Sequence, residues 1–94
     1  MNVTNIMETI VAEVFQEFCK QHTLKCPCKE CKSDILALAL NRTPPKYAST
    51  QKGEILIKAA YTNMHLRQDI MKTLMFAAVQ IENNPRHDIT NNIL

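Results

Sequence analysis

Apolar residues recur at three- and four-residue steps from the start of the chain: Val3, Ile6, Met7, Ile10, Val14, Phe15 and Phe18. That period predicts an amphipathic helix over about Asn2 to Lys20, capped by Asn2 or Thr4, with Glu8, Glu13, Gln16 and Glu17 largely outside the apolar stripe. Pro27 forbids a regular helix through Gln21–Glu30, which reads as a tight loop. A second helix is expected from about Cys31 to Leu40. Ile35, Leu36, Leu38 and Leu40 with Ala37 and Ala39 make it apolar almost all round, which calls for burial on several sides. Asp34 and Asn41 are its polar exceptions, seven residues apart and so on one face. Pro44 and Pro45 end it, and an extended linker over Thr43–Ser49 follows.

Helical character resumes after Ser49 or Thr50, either of which can cap, and continues from Glu54 to Asn83 without another Pro or Gly. Such a helix would be about 45 Å long, too long for a compact domain of this size, so a break is expected at Tyr61–Asn63 with a new start at Met64. Beyond it, Ile70, Met71, Leu74, Met75, Ala78 and Ile81 form a face broad enough to pack on the first helix and still leave surface for a second subunit. Met64 and Met75 suit an adaptable contact. Residues 1–85 read as a single helical domain, and the Asn-rich stretch 86–94 as a flexible C-terminal tail. The fold class is all-α: a small domain of three to five helices with a loop stapled by zinc on four cysteines.

Composition adds limits. A chain of 94 residues has a thin core and calls for a staple or a partner subunit. With 46% hydrophobic and 21% charged residues, it is neither disordered nor fibrous. The longest apolar run, Ile35–Leu40, is too short to cross a bilayer. Met1–Glu8 lacks the basic-then-apolar order of a secretory leader, so a cytoplasmic location is expected. A net charge of +2, carried more by lysine than arginine, argues against direct nucleic-acid binding as the main activity.

All four cysteines fall in one short window, spaced Cys19-x6-Cys26-x-Cys28-x2-Cys31. Four soft thiolates at short spacings suit a tetrahedral, structural Zn2+ joining the end of the first helix to the start of the second. Lys20, Lys25, Lys29 and Lys32 are placed to offset the excess negative charge. His22, three residues beyond Cys19, is the alternative fourth ligand. Cytosolic disulfides are rare, and loops this short gain little from cross-linking. A thiol switch remains the rival reading and needs an exposed, activated pair. Four cysteines close the coordination sphere, and His22, His65 and His87 belong to different segments, so no enzymatic activity is expected.

The run Cys26-Pro27-Cys28-Lys29-Glu30-Cys31 through Asp34 and Asn41 to Pro44-Pro45-Lys46-Tyr47 resembles the signature of the ComFB family of small bacterial late-competence proteins. The likeness extends from the first helix to about Asn84. It implies a cytosolic, non-enzymatic homodimer connected with DNA uptake, and it suggests that relatives act as receptors for cyclic dinucleotides such as c-di-GMP or c-di-AMP. A two-fold symmetric ligand suits a homodimer that presents the same side chains twice. Arg42, Lys46 and Lys52 are candidates for its phosphates, Tyr47 for stacking on a base, and Asp34 or Asn41 for a base edge. Thr50 and Gly53 stand at a helix start that favours anions. The rival class is an adaptor that binds a competence-machinery protein or DNA without a small ligand.

Overall fold

A computed structural model describes residues 2–84. The element order is β1 (Thr4–Asn5), α1 (Met7–Gln21), α2 (Lys29–Asn41), β2 (Tyr47–Ala48), α3 (Gln51–Ala60) and α4 (Met64–Asn83). The expected all-helical architecture is present, with the addition of one short antiparallel pair in which Thr4 faces Ala48 and Asn5 faces Tyr47. The expected tail, 86–94, lies outside the described residues.

The pair corrects the first expected boundary. Residues before Ile6 are extended instead of helical, and Val3 is 53% exposed instead of part of the apolar stripe. Neither Asn2 nor Thr4 caps α1: the N-cap position is Ile6, whose side chain makes no cap bond. The Asn5 side chain, one residue earlier, supplies an acceptor instead: its Oδ1 accepts from the Met7 N–H at 3.2 Å and from the Lys46 N–H at 3.0 Å. The Ile6 N–H donates to the Lys46 carbonyl at 2.7 Å. One amide side chain therefore supplies a partner for a helix-start donor and pins the segment after Pro44-Pro45 beside the start of α1. The linker is fixed at its far end, where the sequence reads only as extended.

From Ile6 onward the predicted stripe holds. Ile6, Met7, Ile10, Val11, Val14, Phe15 and Phe18 are buried, joined by Leu24, Ile35 and Ala39 and by Ile70, Leu74, Ala77 and Ala78 of α4. The α4 helix packs against α1 but most extensively against α2, so the second helix, more than the first, forms its floor. The break between α3 and α4 falls where expected. Asn63 caps α4 through its Oδ1, which accepts from the N–H groups of His65 and Leu66 at 2.9 and 3.4 Å. Thr62 Oγ1 donates to the Ala59 carbonyl at 2.7 Å. Thr50, not Ser49, caps α3 by accepting from the Gly53 N–H at 3.0 Å.

Two helices are less covered than their sequences demand. In α2 only Cys31, Ile35 and Ala39 are buried, while Leu36, Leu38 and Leu40 are half-buried, which corrects the expectation of burial on several sides within one chain. In α3 no residue is buried, and Ile55 and Leu56 face solvent. Tyr47, Met64, Met75, Phe76 and Val79 are exposed as well. The predicted α4 face divides accordingly: Ile70, Leu74 and Ala78 enter the core, Met71 and Ile81 are half-buried at its edge, and Met75 is left outside.

Candidate metal centre and ligand cleft

The cysteine loop is held from both sides. Leu24 enters the core, and the Lys25 N–H donates to Glu82 Oε2 at 2.5 Å, near the far end of α4. The chain then turns through Pro27 into α2, whose N-cap is Cys28. The Cys28 Sγ accepts from the Cys31 N–H at 3.3 Å, so a thiol takes the place that a hydroxyl or carboxylate ordinarily fills. This cap starts α2 at Lys29, two residues before the expected Cys31.

The loop and the first turn of α2 bring three sulfurs together. The Sγ atoms of Cys26, Cys28 and Cys31 all lie within 4.8 Å of one another, and the Cys26 thiol donates to Cys28 Sγ at 3.3 Å. Zinc–sulfur bonds of about 2.3 Å in a tetrahedron set sulfurs roughly 3.8 Å apart, within the span seen here. No disulfide joins any of the four cysteines. Burial, with smaller contributions from hydrogen bonds to Cys26 and Cys28, pushes the Cys31 thiol from an ordinary 9.0 up to about 12. Without a cation Cys31 therefore holds its proton. A divalent ion reverses that preference, because a coordinated thiol is deprotonated outright. Lys25, Lys29 and Lys32 are exposed around the trio, where they can balance thiolate charge.

Neither expected fourth ligand belongs to this group. Cys19 is half-buried and packs against the hydrophobic core. The His22 ring lies against Phe18, with centroids 4.7 Å apart. The donor set thus fits a thiolate-bound ion at three of its positions.

The candidate ligand residues do not converge on one pocket within the chain. Arg42, immediately after α2, lines a cleft of about 210 Å³ together with Thr43, Pro44, Tyr61, Leu66, Asp69, Ile70 and Thr73. Its guanidinium carbon stands 4.2 Å from the centre of the Phe76 ring, a contact that holds the cation at the cleft edge. Asn41 is exposed at the end of α2, and Asp34 is half-buried two turns earlier. Lys46, Tyr47 and Lys52 are exposed on the linker, β2 and the start of α3. Thr50 and Gly53 serve the local fold, since the Gly53 N–H is taken by Thr50 Oγ1 instead of facing a ligand. A Cβ at Gly53 would stand 3.2 Å from that oxygen and 3.5 Å from the Ala48 Cβ, so glycine permits close packing of the cap. Asp69, Thr73 and Phe76 are not legible as site residues in the sequence, because there they look like ordinary helix positions, and Tyr61 reads only as part of the helix break.

The signature run of cysteines, Asp34, Asn41 and the two prolines thus spans the thiol trio, the length of α2 and the cleft mouth. The late competence development protein ComFB model matches residues 4–85. The chain belongs to the ComFB family. Competence protein ComFB of Bacillus subtilis (strain 168) is 32% identical over 73 residues, which cover 78% of this chain and 69% of that protein. The solved structure of the late competence protein ComFB from Bacillus subtilis superposes with a TM-score of 0.81 at 25% identity, covering 94% of this chain and 96% of that one. The four-helix frame is therefore a ComFB frame. Among the described residues, no helix is long and apolar enough to cross a membrane.

Proposed function

We propose that this ComFB family member is a non-enzymatic, homodimeric regulator of late competence, built on a structural zinc ion and responsive to a cyclic dinucleotide. One observation carries the reading: an incomplete cleft with a cation at its mouth, in a chain whose neighbouring helices are left uncovered. Small-molecule sites ordinarily enclose about 300–1,000 Å³. The cleft at Arg42 falls below that range, whereas a second copy placed on the exposed faces of α3 and α4 would enlarge it and double its charges. Arg42, Lys46 and Lys52 then serve phosphates, Tyr47 a purine face, and Asp34 and Asn41 base edges.

Zinc is assigned to Cys26, Cys28 and Cys31, the three sulfurs that stand together; Cys19 or His22 must move from its place beside the core or Phe18 to supply the fourth ligand. The ion then joins α2 to the loop that Glu82 tethers to α4, and keeps the Asp34–Asn41 face in register with the cleft. The absence of catalysis belongs to the same reading, since the ion is given a structural role and His22 and His65 stand on separate elements.

The test is a thermal-shift and calorimetric titration of zinc-loaded protein with c-di-GMP and c-di-AMP. A ligand at a hundred times its Kd stabilises by about 2.7 kcal/mol, which raises the Tm of a domain this size by roughly 10–20 °C. No shift with either nucleotide refutes the receptor reading and favours the adaptor. Elemental analysis separately checks for one zinc per chain.

A further inference from the structure

Cys28 is the N-cap of α2 and Cys31 lies in its first turn, three residues on, and the N–H of the second donates to the sulfur of the first. Cys28 is half-buried, while Cys31 is only 3% exposed. This order is that of an attacking thiol reached by solvent and a resolving thiol shielded behind it. Their Sγ atoms lie within 4.8 Å. A disulfide brings these sulfurs to about 2.05 Å, a closure made by side-chain rotation with a small shift of the capping turn. Cys26 Sγ stands 3.3 Å from Cys28 Sγ, but only Pro27 separates the two residues, and the fixed φ of proline leaves so small a ring little room to adjust.

We propose that Cys28 and Cys31 form a thiol–disulfide couple that a hydroperoxide oxidises, so that the redox state of the pair decides whether the metal site can be filled. The inference rests on the zinc reading above and supplies its regulation. The Cys28 sulfur attacks the outer peroxide oxygen, the O–O bond breaks, and the second oxygen leaves as water with the proton of the Cys28 thiol. Cys28 is then a sulfenic acid. The Cys31 sulfur attacks it, the S–O bond breaks, and the hydroxyl leaves as water with the Cys31 proton. Two thiols and one hydrogen peroxide thus give one disulfide and two waters. The disulfide removes two thiolates from the donor set, and the ion dissociates.

Metal-loaded and chelator-stripped protein are each exposed to hydrogen peroxide, then followed by intact mass, alkylation mapping and a chromogenic zinc indicator. The stripped chain loses two hydrogens, with the bond mapped to Cys28–Cys31, and the loaded chain releases its zinc in step with the same bond. Cys26→Ser still forms the bond. Cys31→Ser stops at a Cys28 sulfenic acid that dimedone traps. A bond mapped to Cys26–Cys28 or to Cys19, or four alkylatable thiols in the stripped chain after treatment, overturns the couple. A chain that elemental analysis finds unable to hold zinc overturns the metal-site reading, and with it the control of occupancy. Failure of the bond in the stripped arm overturns the redox couple alone.

Discussion

Leu56 offers the sharpest test of the proposed association. It lies in the middle of α3, a helix with no buried residue, and is itself 62% exposed. Full burial of a leucine side chain is worth about 1.5–3 kcal/mol, so covering its exposed part contributes roughly 1–2 kcal/mol. A two-fold dimer counts the residue twice. Leu56→Ala, which leaves only the β-carbon, therefore removes roughly 1.5–3 kcal/mol from association and weakens the dimer about 10- to 200-fold. The isolated chain should scarcely notice, since alanine is at least as good a helix former and the change within one chain stays below about 0.5 kcal/mol. Sedimentation velocity over a concentration series reads the association, and far-ultraviolet circular dichroism checks the fold. An unchanged dissociation constant, or a parent chain that is monomeric at every concentration, refutes the assignment of α3 to a second copy.

Asn5→Ala leaves the Met7 and Lys46 N–H groups without their shared acceptor and should destabilise by about 1–2 kcal/mol, read as a lower midpoint in urea. Ile35→Ala, at a fully buried position of α2, should cost about 2–5 kcal/mol and lower the Tm accordingly. The metal-free protein carries a pH signature. Because the folded Cys31 thiol is raised from 9.0 to about 12, the folded state retains a proton that the unfolded chain gives up. This contribution is intact below about pH 9 and is lost as the pH rises toward about 12, so urea midpoints should fall across that window and fall less in Cys31→Ala. Arg42→Ala should weaken cyclic dinucleotide binding at least about tenfold by calorimetry, while leaving zinc content at its parent value.

The helices of this chain are written in the spacing of its apolar residues, because a stripe at the helical period has one productive way to meet a core. Ile10, Val14 and Phe18 are buried as that rule requires, and Asn63 starts α4 because its side chain satisfies the donors of the new helix. What escaped the reading depends on contacts remote in sequence. A two-residue strand at Thr4–Asn5 has no period to detect, and only the arrival of Lys46–Ala48 makes it a strand. Val3 follows a helical rhythm yet lies outside the helix, because Asn5 offers the backbone a competing turn. Three of the four cysteines gather because Cys28 caps the helix that carries Cys31. The half-covered leucines of α2 were legible as apolar, but not what covers them, since sequence pattern records the need for burial and not its source.

The Asn5 tie to Lys46 has a consequence for the order in which the chain assembles. It joins positions 41 residues apart, and closing so long a loop costs entropy that two hydrogen bonds and a two-residue ladder cannot supply alone. Docking of α1 on α2 shortens the distance first, so the clasp forms late in folding and opens early in unfolding. Amide exchange at Ile6 and Lys46 should therefore outpace that at Val14 and Ile35, and the stretch from Pro44 to Tyr47 is the first part of the structure that a loosening molecule releases.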